Sequence, residues 1–193
     1  RKNILKAVGL KEPLPPRTGP QQVLNVFQEK IEEAVIDAQG RFVPGKKPDE
    51  IQQGEEVYPL YIYREQGRVV AYAFPIEGKG LWSTLYGYLA IDADGKTVRG
   101  ITFYQHGETP GLGAEIEKDW FQGNFKGKKI WDASAGKMVP VTVAKGRVKD
   151  SIPADRQSFY VDGISGATMT GEGVNEMLSR RLKVYEPFLK RRR

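Results

Sequence analysis

Apolar residues recur at the spacing of amphipathic helices near both ends of the chain. The pattern predicts helices over residues 1–10, 20–38 and 171–189. The first run stops at Gly9, a residue that often ends a helix, and Pro20 suits the first turn of the second helix. The apolar positions of the two longer helices are Val23, Phe27, Ile31 and Val35, and Val174, Leu178, Leu182 and Tyr185.

The middle of the chain alternates aromatic and β-branched residues with polar ones, which is typical of strands. Residues 65–67 are predicted to be a turn, Asp94 and Gly95 a hairpin turn, and residues 106–125 a loop. The order helix, strands, helix predicts an α+β fold with a mainly antiparallel sheet, an N-terminal amphipathic helix and a C-terminal helix. Strands are predicted over residues 57–63, 68–74, 81–91, 98–104, 139–144 and 159–161.

The length and composition indicate one domain. The chain has 193 residues, of which 39% are hydrophobic, and a chain of this size can bury a core. We expect the domain to span residues 19–189. A membrane-proximal segment with a proline-rich link is expected over residues 1–18, and a basic tail over residues 190–193.

The net charge of +6 is compatible with binding to nucleic acid, an anionic membrane surface or an anionic ligand. The excess lies mainly in the last four residues, Lys190 to Arg193, and no nucleic-acid motif accompanies it, so we expect no nucleic-acid partner. The tail is either a solvated charge run or a contact with acidic lipid or an acidic partner. No stretch approaches the roughly 20 apolar residues of a membrane-spanning helix. The sequence begins at Arg1 rather than at methionine, which leaves room for an upstream membrane anchor.

The composition excludes several kinds of chemistry. The chain has no cysteine and one histidine, His106. Disulfides, zinc-thiolate sites, iron–sulfur clusters, cysteine nucleophiles and multi-histidine metal sites are therefore excluded. We expect no metal site and no catalytic side chain.

The segment DGISGATMTG, residues 162–171, joins a predicted strand to the last helix. Its small residues let the backbone approach a ligand closely, and the N-terminus of a helix favours an anion. The segment therefore suits a phosphate group. The alternative is structural, with Thr170 simply capping the helix.

The segment HGETPGLGAE, residues 106–115, is a loop stiffened by glycines and a proline. In it Thr109 and Leu112 would lie against one face of a planar ring. Glu108 would pair with His106 or accept a hydrogen bond from a ligand. The alternative is an ordinary surface turn.

The segment GLWSTLYGYLA, residues 80–90, has the alternation of a half-buried strand. Aromatic residues at the start of such a strand belong to the core or, in the case of Trp82, form the wall of a ligand pocket.

The pattern Asp-x-x-Ser-Gly-Ala-Thr at residues 162–168 resembles the flavinylation motif of the FMN-binding domain family. In that family the final threonine, here Thr168, is esterified to the phosphate of FMN. Such a bond needs neither cysteine nor histidine, the residues that otherwise tether flavins. The cofactor-binding residues that the resemblance implies are Asp162, Ser165, Gly166, Ala167, Thr168 and Thr170 around the phosphate, and Trp82, Ser83, Glu108, Thr109, Leu112 and Gly113 near the ring.

GLWSTLYGYLA, HGETPGLGAE and DGISGATMTGEGV, in this order, resemble the C-subunit family of sodium-translocating NADH:quinone oxidoreductases. The opening RKNILKAVGL is similar to the stretch that follows the single membrane helix of that family. The resemblance implies an electron-carrying subunit of a membrane complex that oxidises NADH, reduces quinone and pumps sodium ions.

The same resemblance implies partners and a location. The partners are the other subunits and a flavin transferase that uses FAD and Mg²⁺. The domain would lie on the periplasmic side of the bacterial inner membrane, held by one N-terminal helix. The alternatives are a flavin subunit of the RNF type, a stand-alone extracytoplasmic FMN carrier, and a non-redox binding module.

Overall fold

The fold combines five α-helices and nine strands in residues 1–192, the part of the chain that the computed structural model describes. None of these helices is long and apolar enough to cross a membrane. The helices are α1 (Lys2–Val8), α2 (Pro20–Lys30), α3 (Asp119–Gly123), α4 (Val148–Ser151) and α5 (Thr168–Lys190). The strands are β1 (Ile31–Asp37), β2 (Val57–Glu65), β3 (Arg68–Lys79), β4 (Thr84–Asp92), β5 (Val98–Gln105), β6 (Trp131–Asp132), β7 (Lys137–Met138), β8 (Thr142–Val143) and β9 (Tyr160–Val161). Short 3-10 helices lie at Pro48–Glu50, Gly113–Glu117 and Ala154–Phe159.

Strands β1 to β5 form an antiparallel sheet in which neighbours in sequence are neighbours in space. In the tight turn between β2 and β3, Gln66 and Gly67 both have positive φ, 49° and 77°, as a two-residue hairpin requires. In the turn between β4 and β5, the Asp94 carboxylate accepts hydrogen bonds from the N–H groups of Lys96 and Thr97. The short strands pair separately, β6 with β7 antiparallel and β8 with β9 parallel. This architecture confirms the predicted α+β class.

The two faces of the sheet bury different residues. Side chains alternate along a strand, so Ala71 and Ala73 of β3 face one side, while Tyr72, Phe74 and Ile76 face the other. Helices α1 and α2 cover the alanine side, and α5 covers the aromatic side. The sheet is therefore the middle layer of three.

Helix α1 packs closely on the sheet. Its apolar residues Ile4, Leu5, Ala7 and Val8 are buried. A side chain at Gly100 of β5 would collide with the backbone carbonyl of Ala7, so the glycine permits the close approach. The segment predicted to be membrane-proximal is thus in direct contact with the domain at α1.

Helix α5 closes the other face through aromatic contacts. Tyr185 stacks on Phe74, with ring centroids 3.9 Å apart and 15° between the ring planes. Its hydroxyl donates a hydrogen bond of 2.7 Å to the carbonyl of Pro59 in β2. The buried hydroxyl is therefore satisfied, and Tyr185 attaches the C-terminal half of α5 to the sheet.

The second helix is shorter than the pattern predicts. α2 ends at Lys30, and the chain continues directly into β1, where Ile31 lies opposite Tyr63. The prediction of helix over residues 31–37 is therefore wrong. Ile31 and Val35 are four residues apart, a spacing that places them on one face of a strand as well as of a helix.

Two strand boundaries in the middle of the chain also differ from the prediction. β3 continues to Lys79 instead of ending near Phe74, and β4 begins at Thr84. Residues 80–83 are therefore a connection between strands, which leaves Trp82 in a loop.

The segment 106–125, predicted to be a loop, also contains regular structure. It holds the 3-10 helix at Gly113–Glu117 and helix α3. Phe121 and Phe125 are fully buried and anchor the segment in the core below the α5 side of the sheet.

The C-terminal basic residues pack against the fold as far as the structure describes them. Lys190 belongs to α5, and Arg191 donates a hydrogen bond to a backbone carbonyl in the loop after β1. The guanidinium of Arg192 lies 4.2 Å from the ring centroid of Phe188. Arg193, the last residue of the predicted tail, lies outside the described residues.

Candidate functional site

The candidate site is centred on the start of α5. Thr168 is the first residue of this helix, and its side chain is exposed. The N-cap residue is Ala167, no side chain caps the first turn, and no acidic residue lies in it. The first N–H groups of a helix have no acceptor within the helix, and the helix dipole adds positive potential there. The start of α5 therefore favours a bound anion.

Two glycines let the turn before α5 pack against the loop that contains Leu112. Gly166 has a φ of 75°, in the left-handed region that favours glycine, and a Cβ there would lie 2.9 Å from Leu112 Cδ2. A Cβ at Gly113 would lie 2.5 Å from Thr170 Oγ1. Gly113 is therefore required for the close contact with Thr170, whereas at Gly166 the flexible end of Leu112 can shift and the positive φ is the stronger requirement for glycine.

One face of α5 lines a cleft of about 350 Å³. Thr168, Gly171, Glu172 and Asn175 contribute to it, at the i, i+3, i+4 and i+7 positions of one helix face. The Asn175 amide accepts a hydrogen bond of 2.6 Å from the N–H of Val143 and donates one of 3.1 Å to its carbonyl. This bidentate contact fixes β8 as a wall of the cleft. The other lining residues are Thr142, Val143, Ala144, Lys145, Ser151, Ile152, Tyr160, Ile164 and Ala167.

The opposite face of α5 is closed. Thr170 is 1% exposed, and its hydroxyl donates a hydrogen bond of 2.5 Å to Glu108 Oε2. Gly173 lies so close to the end of β3 that a Cβ would collide with the carbonyl of Lys79. The segments that meet on this face carry four exposed apolar side chains, here called the apolar rim: Leu81, Trp82, Leu112 and Met169.

The Glu108 carboxylate joins three segments of this closed face. It is only 5% exposed. Its Oε1 accepts a hydrogen bond of 3.0 Å from the N–H of Trp82, and its Oε2 accepts one of 3.1 Å from the N–H of Leu81 as well as that from Thr170. Burial raises the pKa of Glu108, but the hydrogen bonds from Thr170 and the backbone outweigh it, so the pKa lies below its ordinary value.

Two further contacts hold the loop that carries Glu108. The N–H of Glu108 donates to His106 Nδ1 at 3.1 Å, and His106 Nε2 lies 3.1 Å from Glu117 Oε2. Ser83 Oγ accepts a hydrogen bond of 2.6 Å from the N–H of Gly107. The predicted pairing of the Glu108 carboxylate with His106 is therefore wrong. The imidazole instead supports the backbone of the loop.

Two of the predicted cofactor-binding side chains point away from Thr168. The Asp162 carboxylate accepts a hydrogen bond of 2.7 Å from the N–H of Val148, at the start of α4. Thr170 is the third residue of α5 and points to Glu108, so the interpretation of Thr170 as a helix cap is wrong. The remaining predicted residues belong to the segments that meet at the start of α5: Trp82, Ser83, Glu108, Thr109, Leu112, Gly113, Ser165, Gly166, Ala167 and Thr168.

Comparisons with known proteins identify the family. Residues 80–183 match the FMN-binding domain family. The C subunit of the Na(+)-translocating NADH-quinone reductase of Yersinia pestis is 35% identical, over 99% of this chain and 78% of that protein. The corresponding protein of Pasteurella multocida is 34% identical, over 98% of this chain and 78% of that protein. The chain belongs to this C-subunit family.

Solved structures of the C-subunit family share the fold. The crystal structure of the family member from Parabacteroides distasonis matches with a TM-score of 0.80 and 34% identity, over 97% of this chain and 89% of that chain. The crystal structure of Shewanella oneidensis NqrC matches with a TM-score of 0.78 over 99% of this chain and 94% of that chain, at 22% identity. The match to the FMN-binding domain family includes β4, β5, the Glu108 loop and the first turns of α5.

Sequence reasoning missed the cleft beside Thr168. Lys145 and Tyr160 reach it from segments that carry no motif of their own, and Ile164, although it lies within the motif at 162–168, was not named as a site residue. Asn175 follows Thr168 by seven residues, and this helical spacing is the one signal that pointed to it. The only indication of Met169 in the sequence is its position next to Thr168.

Proposed function

We propose that the chain is the electron-carrying FMN subunit of a sodium-translocating NADH:quinone reductase, with FMN held by a phosphoester to Thr168. The observation that carries the proposal is the exposed hydroxyl of Thr168 at the first position of an uncapped helix. Membership of the C-subunit family, with its FMN-binding domain, supports the assignment of cofactor and complex.

The residues around Thr168 suit a phosphate group. The first-turn N–H groups of α5 supply donors, and no carboxylate lies among them to repel the anion. Gly166 and Ala167 carry little or no side chain in front of these amides. Ser165 is exposed in the same turn and supplies a further hydroxyl.

The apolar rim suits the isoalloxazine ring. Leu112 and Trp82 are 42% and 70% exposed, and Thr109 is an exposed hydrogen-bonding residue in the same loop as Leu112. These residues would bind one face of the ring and exclude water from it. FMN, when bound, supplies the electron-transfer chemistry, and the protein sets its orientation and surroundings. No side chain of the site is needed as an acid, base or nucleophile in that transfer.

The attachment itself needs a partner enzyme. In the proposed reaction a flavin transferase joins Thr168 Oγ1 to the FMN phosphorus of FAD. The bond from that phosphorus to the bridging oxygen of the pyrophosphate breaks, AMP leaves with this oxygen, and the threonine proton passes to solvent. Thr168 meets the steric requirement because its side chain is exposed, whereas Thr170 is buried.

The remaining parts of the proposal concern the assembly. The partners are the other subunits of the reductase, and the domain lies on the periplasmic side of the inner membrane, anchored by a helix upstream of Arg1. The similarity of nearly the whole chain to proteins of the C-subunit family supports this arrangement.

The attachment is tested by co-expression with a flavin transferase and measurement of in-gel flavin fluorescence after denaturation. Wild type is expected to give a fluorescent band and an intact mass increased by the flavin, and Thr168→Ala neither. Ser165→Ala removes an exposed hydroxyl three residues away and is the matched control, which should keep the flavin. Circular dichroism should show the same fold for all three, since both positions are exposed.

A fluorescent Thr168→Ala band would contradict the attachment at this residue. A wild-type protein that stays at apo mass would favour a non-redox module instead.

A further inference from the structure

The loop carboxylate Glu108 does not face the space around Thr168. Its oxygens point into the protein, towards the N–H groups of Leu81 and Trp82 and the hydroxyl of Thr170. The sequence predicted a residue that pairs with His106 or contacts a ligand directly. The Glu108 carboxylate therefore contacts other parts of the protein rather than the space in which a ligand would bind.

The space around the carboxylate is shaped by two glycines. A Cβ at Gly80 would lie 2.6 Å from Glu108 Oε1, and a Cβ at Gly113 would lie 3.0 Å from Oε2. Both positions therefore exclude any side chain while Glu108 occupies its place. Backbone from two different segments closes directly on the carboxylate, which leaves it 5% exposed.

The buried charge has no cationic partner in the part of the chain that the structure describes. The partners of its oxygens are neutral N–H and O–H donors, and none of the ion pairs within residues 1–192 includes Glu108. A carboxylate held in this way contributes a net negative charge to its surroundings. Thr170, which donates to it, lies two residues after Thr168.

We propose that Glu108 is a positioning residue of the flavin site, which locks the Leu81–Trp82 loop to the first turn of α5 and lowers the reduction potential of the flavin through its buried charge. This inference rests on the proposed function. Trp82 and Thr168 belong to segments that are far apart in the chain, and the carboxylate is the group that hydrogen-bonds to both segments. The charge disfavours electron uptake by a flavin held nearby, since reduction adds negative charge.

The positioning role is tested by amide hydrogen exchange on the apo-protein. Glu108→Gln replaces an acceptor oxygen by an NH₂ group that faces N–H donors, and Thr170→Val removes one donor at nearly constant shape. Each is expected to accelerate exchange about tenfold or more in the peptides covering residues 80–86 and 168–176, because one net hydrogen bond corresponds to about that factor. Glu77→Gln removes an exposed carboxylate of β3 that lies outside this network and should leave both peptides unchanged.

The charge role is tested on the flavin-loaded protein by its midpoint potential. Glu108→Gln should shift the potential to more positive values, whereas Thr170→Val keeps the charge and should shift it much less.

In the exchange experiment, Thr170→Ser should keep the protection that Thr170→Val loses, since serine retains the hydroxyl.

Unchanged exchange in the 80–86 peptide of both Glu108→Gln and Thr170→Val would overturn the positioning role, and Thr170→Val decides it if Glu108→Gln does not fold. Equal potentials for Glu108→Gln and Glu77→Gln would overturn the charge role. A wild-type protein that takes up no flavin contradicts the proposed function, while exchange on the apo-protein still decides the positioning role.

Discussion

On the cleft side of α5 the side chains leave space, whereas on the Glu108 side they fill it. Thr168 and Thr170 are two residues apart in the same first turn, about 200° apart around the helix axis. The first is exposed beside a cleft of about 350 Å³, and the second is 1% exposed with its hydroxyl bonded to Glu108. Two threonines of one segment thus have different surroundings. Thr168 is accessible for modification, and Thr170 connects α5 to the loop that carries Glu108.

Substitution of two glycines of α5, Gly171 and Gly173, compares the packing on the two sides of the helix. Gly171 faces the cleft, where a Cβ would lie 3.3 Å from Val143 Cγ1, a side-chain atom. Gly173 faces the end of β3, where a Cβ would collide with the backbone carbonyl of Lys79. A side chain can shift, but the end of a paired strand cannot move without breaking hydrogen bonds.

The largest expected effect is therefore on stability. Gly173→Ala should lower the free energy of unfolding by about 1–3 kcal/mol through overpacking. Gly171→Ala should change it by less than about 1 kcal/mol, because the gain in helix propensity offsets the close contact. Urea unfolding of the two variants measures the difference. Equal losses would mean that the two faces of α5 are packed alike.

The sequence singled out Thr168 on the accessible side but not the cleft beside it, and on the closed side it named Glu108 and Thr170 but not the hydrogen bond between them. Thr168 was singled out because the residues of the motif at 162–168 are adjacent in the chain, so a local pattern carries the signal. The Glu108 network joins residues 108, 81–82 and 170, which only the folded sheet and helix bring together. No local pattern can predict that a loop carboxylate accepts a hydrogen bond from a threonine 62 positions later.

The error over residues 31–37 has a similar origin. A separation of four residues keeps Ile31 and Val35 on one face in either a helix or a strand. The pairing of β1 with β2 decides between helix and strand, and Ile31 and Val35 pair with Tyr63 and Pro59, which lie far outside any local pattern. The β-branched residues of this stretch were the available local indication of a strand. The hairpins were predicted correctly, since their turn residues are local.

The second prediction concerns which side of α5 holds the ring of a bound flavin. Trp82 belongs to the apolar rim and Tyr160 to the cleft, and both are aromatic residues able to quench flavin emission. In the loaded protein, Trp82→Phe should increase flavin fluorescence and Tyr160→Phe should leave it unchanged. Trp120→Phe, at another exposed tryptophan, is the control. An increase with Tyr160→Phe alone would place the ring in the cleft and reverse the proposed roles of the two sides.

The smallest expected effect is the pH dependence that the closed side adds to stability. Burial raises the pKa of Glu108, and the hydrogen bonds from Thr170 and the backbone lower it by more. A depressed pKa contributes stability that is present above the unfolded value of 4.5 and is lost as the pH falls through the folded value.

Wild type should therefore lose more stability than Glu108→Gln between neutral pH and about pH 3, as followed by urea midpoints. Asp132, whose pKa is lowered by hydrogen bonds from Ser134 and Arg156, titrates in both proteins, so the difference between them isolates Glu108. Parallel pH profiles would mean that the hydrogen bonds to Glu108 do not favour its charged form, and the closed side of α5 would then be held by packing alone.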